Sequence, residues 1–329
     1  MVRGRLAPSP TGFLHLGNAW AFWMAWLDVR SRGGRLFLRM EDIDPDRSKH
    51  VYSAAIKRDL DWLGLDWDEE SPPQSTRYEI YEQVLTGLKK RGLVYRCYCT
   101  RKELRTMAGA PQVGDAGAPY PGTCRNLRPE ERAGLEAKGR KSALRLLCPT
   151  DVPLEFTDRI MGRQTITLTD SGGDFALQRS DGVYAYQLAV VVDDLEAGID
   201  SVVRGGDILA STPRQLYLYS VLGGTPPEYA HLPLIVDHEG ERLAKRHDAL
   251  SLAALKEAGV RPETILGSLL FLSGLRDGYQ PAAAGEPLNC LRLESLSPKP
   301  ITLPSDPTSY FLDLQRGRRI KTAIGLEQP

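Results

Sequence analysis

A Pro-Ser-Pro-Thr-Gly turn at 8–12, a histidine at 15 and a lysine within the polar run 242–247 are the parts of this chain suited to handling phosphates. The turn follows a segment over 2–7 that reads as a strand, and it precedes an apolar helix expected over 16–29. At such a junction exposed backbone N–H groups and the helix dipole favour an anion. His15 stands where its ring could donate to those phosphates, and Lys245 could add a charge from its loop. A second chemistry is signalled by Cys97, Cys99 and Cys124, a C-x-C pair and a distant third thiol. Tetrahedral zinc takes four ligands, and no histidine lies between Cys97 and Cys148, so the spacing alone leaves ordinary buried thiols open.

The elements that must position these groups read as strand, helix, strand. Residues 35–40 form a second apolar strand, helical patterns cover 51–63 and 77–91, and this order predicts a parallel nucleotide-binding sheet. Residues 95–170 break the rhythm with glycine, proline, cysteine and short β-like pieces. The α/β pattern is expected to return with 174–179, 186–194, a strand at 201–204, a helix at 212–222 and a strand at 231–236. Two helices follow at 251–257 and 262–273. The expected organisation is therefore an α/β catalytic domain in two halves, 1–94 and 171–248, an insertion at 95–170, a helical region at 249–277 and a tail at 278–329. Prolines crowd that tail and apolar periodicity fades, which predicts an irregular or disordered end.

Composition sets the remaining bounds. The 329 residues carry 42 basic and 42 acidic side chains, so any nucleic-acid site must be a local patch rather than a global field. One such run joins Lys89, Lys90, Arg91, Arg96, Arg101, Lys102 and Arg105, where a solvated face is the default and an RNA grip the alternative. No apolar run is long enough to span a bilayer, and the tryptophans at 20, 23 and 26 fall at helical spacing for packing onto a sheet. Five cysteines, an odd number, argue for thiol or metal chemistry in a reducing compartment. A cytoplasmic, monomeric protein is expected, with no membrane partner.

The ordered set APSPTG–HLG at 7–17, RMEDID at 39–44, AYQLAVVVDD at 185–194, VVRGGDIL at 202–209 and RLAKR at 242–246 resembles the class I aminoacyl-tRNA synthetases, in their glutamyl branch. The resemblance covers roughly residues 3–275. It implies that His15 matches the first histidine of the HIGH motif, with Asn18 in place of the last, and that Arg242–Arg246 matches KMSKS with Lys245 retained. ATP with its Mg2+ would then lie against His15, Gly17, Asn18 and Lys245. The implied fold is a Rossmann-like parallel-sheet catalytic domain with a zinc-bearing insertion, a short helical region and an irregular tail.

Glutamate has two carboxylates and one ammonium, so its pocket needs two cationic clusters and one anion. Arg5 and Arg204 stand at strand ends, where α/β sheets bind ligands, and each guanidinium can take a carboxylate bidentately. Glu41 can hold the ammonium, while Ser9 and Tyr186 add hydroxyls. The resemblance assigns these positions, with Leu6, Ala7 and Pro8, to glutamate. An internal ion-pair network of Arg5, Glu41 and Arg204 is the alternative. The resemblance also supplies the missing zinc ligand, because the short paralogues of the family carry a C-x-C…Y-x-x-x-C site and Tyr120 precedes Cys124 at that spacing. With only 83 residues after Arg246, the chain resembles those short paralogues, which load glutamate onto queuosine in tRNA(Asp) without needing tRNA for the activation step. Charging of tRNA(Glu) and a non-enzymatic amino-acid or RNA sensor are the rivals. Deleting 281–329 is expected, on this reading, to leave activation intact.

Overall fold

The computed structural model describes residues 1–108, 120–150, 152–243, 250–289 and 291–318. The first unit is β1 (Arg3–Leu6), α1 (Leu16–Ser31) and β2 (Arg35–Arg39), followed by α2 (His50–Trp62) and β3 (Glu69–Ser71). β1 pairs parallel with β2, and β2 with β3, as successive helical crossovers require. After α3 (Tyr78–Lys90) the chain leaves this layer for β4 (Val94–Cys97), α4 (Arg101–Ala108), α5 (Pro129–Ala137), β5 (Ala143–Leu146), β6 (Pro153–Asp158), β7 (Gly162–Thr167) and β8 (Ala176–Gln178). Pairing is now antiparallel, with β4–β5–β8 in one sheet and β6–β7 as a hairpin. The segment at 174–179 thus completes the insertion's sheet instead of reopening the parallel layer.

The parallel layer resumes with α6 (Tyr186–Glu196), β9 (Ser201–Gly205), α7 (Thr212–Leu222) and β10 (Glu228–Leu232), β9 and β10 being paired in parallel. β1 and β9 lie side by side, and the Asp200 N–H donates to the Arg3 carbonyl at 3.0 Å. From β1 the chain moves to β2 on one flank and only much later to β9 on the other. That boundary is a topological switch point, where open α/β sheets bind ligands. α1 fills the layer beneath it. The helix is apolar nearly all round and buries Leu16, Trp20, Trp23, Met24 and Leu27, as a helix covered on several sides must.

The last part of the chain corrects the expectation of a loose tail. The strand expected over 231–236 divides into β10 and β11 (Ile235–Val236), and α8 (Leu252–Glu257) and α9 (Pro262–Leu272) follow. Beyond them the chain is largely irregular but packed. Ala282, Ala284, Leu293, Leu296, Ile301, Leu303, Tyr310 and Phe311 are buried in the same core as α1. β12 (Ile301–Thr302) adds a parallel partner to β11, and α10 (Pro307–Gln315) lies on α9, where Gln315 Oε1 accepts from the Arg261 N–H at 2.9 Å. A Cβ at Gly267 would sit 2.0 Å from the Gln280 carbonyl oxygen, so only glycine lets the chain cross α9 this closely. Pro281 lies in irregular chain, Pro287 is buried in a short 3-10 helix and Pro298 lies in a bend, and none keeps the segment from packing on the core.

Candidate functional site

A cleft of about 1330 Å³ opens over the switch point, lined by the 8–12 turn, His15, Arg5, Glu41, Tyr186 and Arg204 together with residues of the insertion and of α7. His15 is the N-cap of α1. Its Nδ1 accepts the Gly17 N–H at 3.1 Å, and Asn18 Oδ1 accepts the His15 N–H at 3.1 Å. Accepting at Nδ1 leaves the proton of the neutral ring on Nε2, the tautomer needed to donate to a phosphate. A Cβ at Gly17 would come within 3.1 Å of that ring, so the small residue permits the cap. Ala7, Pro8, Ser9 and Asn18 border the cleft. Leu6 does not: its side chain is fully buried in the core. Lys245 lies outside the described residues. Before it Arg242 pairs with the cleft residue Asp207 at 2.6 Å, and after it Ser251 lines the cleft and is bridged to His15.

Arg5 and Glu41 belong to a buried charge network, part of which the sequence anticipates. Asp194 binds both Arg5 Nε at 3.3 Å and Arg39 at 2.6 Å, while Arg39 also donates to Glu41 at 3.0 Å. Asp193 anchors the rear, accepting from Gln74, Arg77 and Tyr81 at 2.7–2.9 Å. Burial raises the Glu41 carboxyl above its ordinary value although Arg39 and Arg5 pull the other way. A substrate ammonium beside it would oppose that rise. Arg39, invisible as a site residue in the sequence, is the strut that fixes Glu41.

Arg204 is held differently. Its Nε donates to His231 Nε2 at 2.9 Å, and its terminal nitrogens donate to Gln215 Oε1 at 2.8 Å and Thr212 Oγ1 at 2.9 Å. Behind it, His231 Nδ1 bonds the Asp158 carboxylate at 2.6 Å. Burial, helped by Arg204 and opposed by Asp158, pulls the imidazole down to about 4, so at neutral pH it is an uncharged acceptor. Among the described residues no carboxylate pairs with Arg204, and it stands outside the ion-pair network of Arg5 and Glu41. Its guanidinium also lies 4.9 Å from the Tyr229 ring, and it lines the cleft without a carboxylate to neutralise it. A histidine inside the apolar strand run at 228–236 was the available sequence signal, since a buried ring must find partners.

The insertion brings Cys97, Cys99, Cys124 and Tyr120 together. The three sulfurs lie within 4.8 Å of one another, Cys99 and Cys124 at 3.6 Å. Thiolates on a tetrahedral zinc at ~2.3 Å would be about 3.8 Å apart, so the spacing fits such an ion. The Tyr120 hydroxyl is 3.4 Å from Cys97 Sγ and accepts the Cys124 N–H at 2.8 Å, the position of a fourth donor. Burial would raise the Cys97 thiol, but the Tyr120 hydrogen bond and the Arg145 charge outweigh it and lower it. Cys99 is pushed up to about 12 by burial and by the charge of Cys97. Cys148 sits apart, buried, its thiol also pushed up to about 12, chiefly by burial. Cys290 lies outside the described residues.

A family model described as the catalytic domain of class I tRNA synthetases (E and Q) matches residues 1–289. The glutamyl-Q tRNA(Asp) synthetase of Nitratidesulfovibrio vulgaris is 54% identical over 93% of this chain and 97% of its own length. That of Symbiobacterium thermophilum is 47% identical with the same coverage. A glutamate–tRNA ligase of Synechococcus is 43% identical over 82% of this chain but only 56% of its own length. Among solved structures, the glutamate tRNA ligase of Elizabethkingia meningosepticum, in complex with its amino acid, superposes with a TM-score of 0.78 at 27% identity, covering 95% of this chain and 69% of that one. Fold, motif order and relatives agree: the chain belongs to the class I tRNA synthetases of the E and Q group.

Proposed function

We propose that the protein activates L-glutamate with ATP and transfers it to the queuosine base of tRNA(Asp). One observation carries this reading: a phosphate-binding helix N-terminus shares a cleft with two arginines and one buried acid, the charge complement of glutamate. The names of the relatives matched over 97% of their length support the RNA partner. In the first step a glutamate α-carboxylate oxygen attacks the α-phosphorus of ATP and pyrophosphate leaves. Arg5 and Arg204 orient the two carboxylates, Glu41 takes the ammonium, and Ser9 and Tyr186 supply hydroxyl contacts. His15 Nε2–H, the N–H groups of the 8–12 turn and Lys245 offset the charge that builds on the phosphates. Mg2+ bound to the nucleotide would neutralise part of its charge. In the second step a hydroxyl of the queuosine cyclopentene ring attacks the mixed anhydride, forming an ester and releasing AMP. These roles fall on the expected catalytic halves 1–94 and 171–248 around the insertion at 95–170, with residues 174–179 counted to the insertion because β8 pairs with β5.

The test compares three reactions of the purified protein. Glutamate-dependent ATP–pyrophosphate exchange is expected without any RNA, and acylation is expected with queuosine-bearing tRNA(Asp) but not with tRNA(Glu). Acylation of tRNA(Glu) alone would overturn the RNA assignment, and absence of exchange would overturn the enzyme.

The metal in the insertion is proposed to be zinc, held by Cys97, Cys99, Cys124 and Tyr120, in a structural role. A reducing compartment, the cytoplasm, suits a site built on free thiols. Cys99→Ser is expected to take the protein from about one zinc per chain to nearly none and to lower Tm by about 5–10 °C. Elemental analysis and calorimetry check this, and freshly prepared wild-type protein without zinc would remove the site.

A further inference from the structure

The cleft holds charges that neither the phosphate turn nor the glutamate arginines account for. Arg214, in the first turn of α7, lines the cleft and is only 6% exposed. Its Nε is buried without a hydrogen-bond partner among the described residues, and no carboxylate there pairs with it. Its guanidinium lies 5.9 Å from the Phe175 ring. Arg145 of β5 lines the same cleft; it donates to the Asp174 carbonyl at 2.7 Å, stacks 3.9 Å over Tyr120, and its Nε also lacks a partner. The acid in this wall, Asp174, is already engaged by the Tyr95 hydroxyl and the Cys148 N–H, both at 2.7 Å, and by Arg125 at 3.6 Å.

An isolated buried cation is costly unless something compensates it. Burial pulls Arg214 down to about 10, opposed by the Cys148 sulfur and reinforced by the repulsion of Arg145. Two members of the basic run read from the sequence behave in the opposite way: Lys89 pairs with Glu82 and Arg96 with Glu136 at the exposed surface. Arg145 is partly tied to the thiol cluster, whose Cys97 it influences. Arg214 stands apart from that cluster and faces only the lone Cys148 thiol, which is pushed up to about 12 and so does not neutralise it. An unneutralised guanidinium in a cleft wall suits an anion that arrives from outside.

Position narrows the choice of anion. Nucleotide phosphates belong at the 8–12 turn and His15, and the glutamate carboxylates belong at Arg5 and Arg204. Gln215, the next residue after Arg214, holds Arg204, so Arg214 adjoins the glutamate pocket. Its side of the cleft is walled by Gly172, Asp174 and Phe175 of the insertion. An acyl acceptor can approach the activated carboxyl from that side without displacing the nucleotide. We propose that Arg214, backed by Arg145, binds a backbone phosphate of the acceptor RNA next to the nucleotide that receives glutamate. This rests on the acyl-transfer reading given above.

The experiment uses the full chain with Arg214→Met and Arg214→Lys. Arg214→Met is expected to raise KM for queuosine-bearing tRNA(Asp) in the transfer assay about tenfold or more. The slope of log Kd against log salt should shrink by about 0.7–0.9, one phosphate contact. Glutamate-dependent exchange without RNA should change by less than about twofold, and Arg214→Lys should recover most of the RNA affinity. Tm of the Met variant should not fall, because an unpaired buried charge has been removed. If KM for ATP or pyrophosphate rises while KM for tRNA holds, the anion comes from the nucleotide and the proposal is overturned. Unchanged kinetics in both assays overturn it equally. A wild-type protein that acylates tRNA(Glu) instead would defeat the reading of its RNA partner, and the same salt series on tRNA(Glu) would still decide the role of Arg214.

Discussion

Replacing Arg204 by leucine is expected to lower kcat/KM for glutamate in ATP–pyrophosphate exchange by about three orders of magnitude, the size seen when one partner of a buried, hydrogen-bonded charge pair is removed. The reason is the difference between the two pocket arginines. Arg5 shares the Asp194 carboxylate with Arg39, so much of its charge is already balanced inside the protein. Arg204 is held by an imidazole, an amide and a hydroxyl, which orient it without cancelling it. A carboxylate entering the cleft therefore meets its full attraction at Arg204. The loss should appear mainly in KM for glutamate, with KM for ATP nearly unchanged, and Tm should stay within a few degrees. His231→Gln removes the rear acceptor but keeps the charge, so a smaller loss of about tenfold is expected. An Arg204→Leu protein that binds glutamate normally would reduce Arg204 to a structural residue and leave the carboxylates without their main attractor.

Parts of this site can be read directly from the chain because their signals are local. The helix at 212–222 is bounded as expected, since Pro213 stands in its first turn and Gly223 closes it in the left-handed conformation. The turn at 8–12 and His15 sit at a strand–helix junction that Pro8, Pro10 and Gly12 mark ahead of a long apolar run. The spacing of the thiols leaves a metal set open, the resemblance is what joins Tyr120 to Cys97, Cys99 and Cys124, and the structure gathers all four. What stays hidden depends on distant partners. Arg204 relies on residues from α7, β10 and β6, and nothing in the sequence links Asp158 to His231 across 73 positions. Arg39 reads as one more strand residue until Asp194 and Glu41 close on it. The direction of 174–179 escapes the sequence for the same reason: an apolar strand of three residues fits a parallel or an antiparallel neighbour equally well.

Deleting residues 281–329 is expected to leave a protein that does not fold stably, contrary to what the proline-rich composition of that stretch suggests. The segment inserts Leu293, Leu296, Ile301, Leu303, Tyr310 and Phe311 into the core shared with α1 and α9. It also provides the Ala284 carbonyl that accepts from the Trp23 indole at 3.0 Å. Without it the faces of α1 and α9 would meet water, and Trp23 would lose its acceptor. Each such side chain contributes roughly 1.5–3 kcal/mol when fully buried, against a net stability of about 5–15 kcal/mol for a typical domain. The ordering entropy of the segment offsets part of that gain, but the exposed apolar surface left behind favours aggregation. A milder substitution measures the same coupling without destroying the fold. Phe311 is fully buried, so Phe311→Ala should cost about 3–5 kcal/mol and lower Tm by about 10 °C. Exchange activity below that Tm should remain near normal, because Phe311 is absent from the cleft lining. A soluble, cooperatively unfolding 1–280 fragment with wild-type Tm would show that the segment adds nothing to the core it enters. Irregular chain can thus bind itself into a fold as firmly as a helix does, since burial acts through individual side chains and does not require a periodic pattern to carry them.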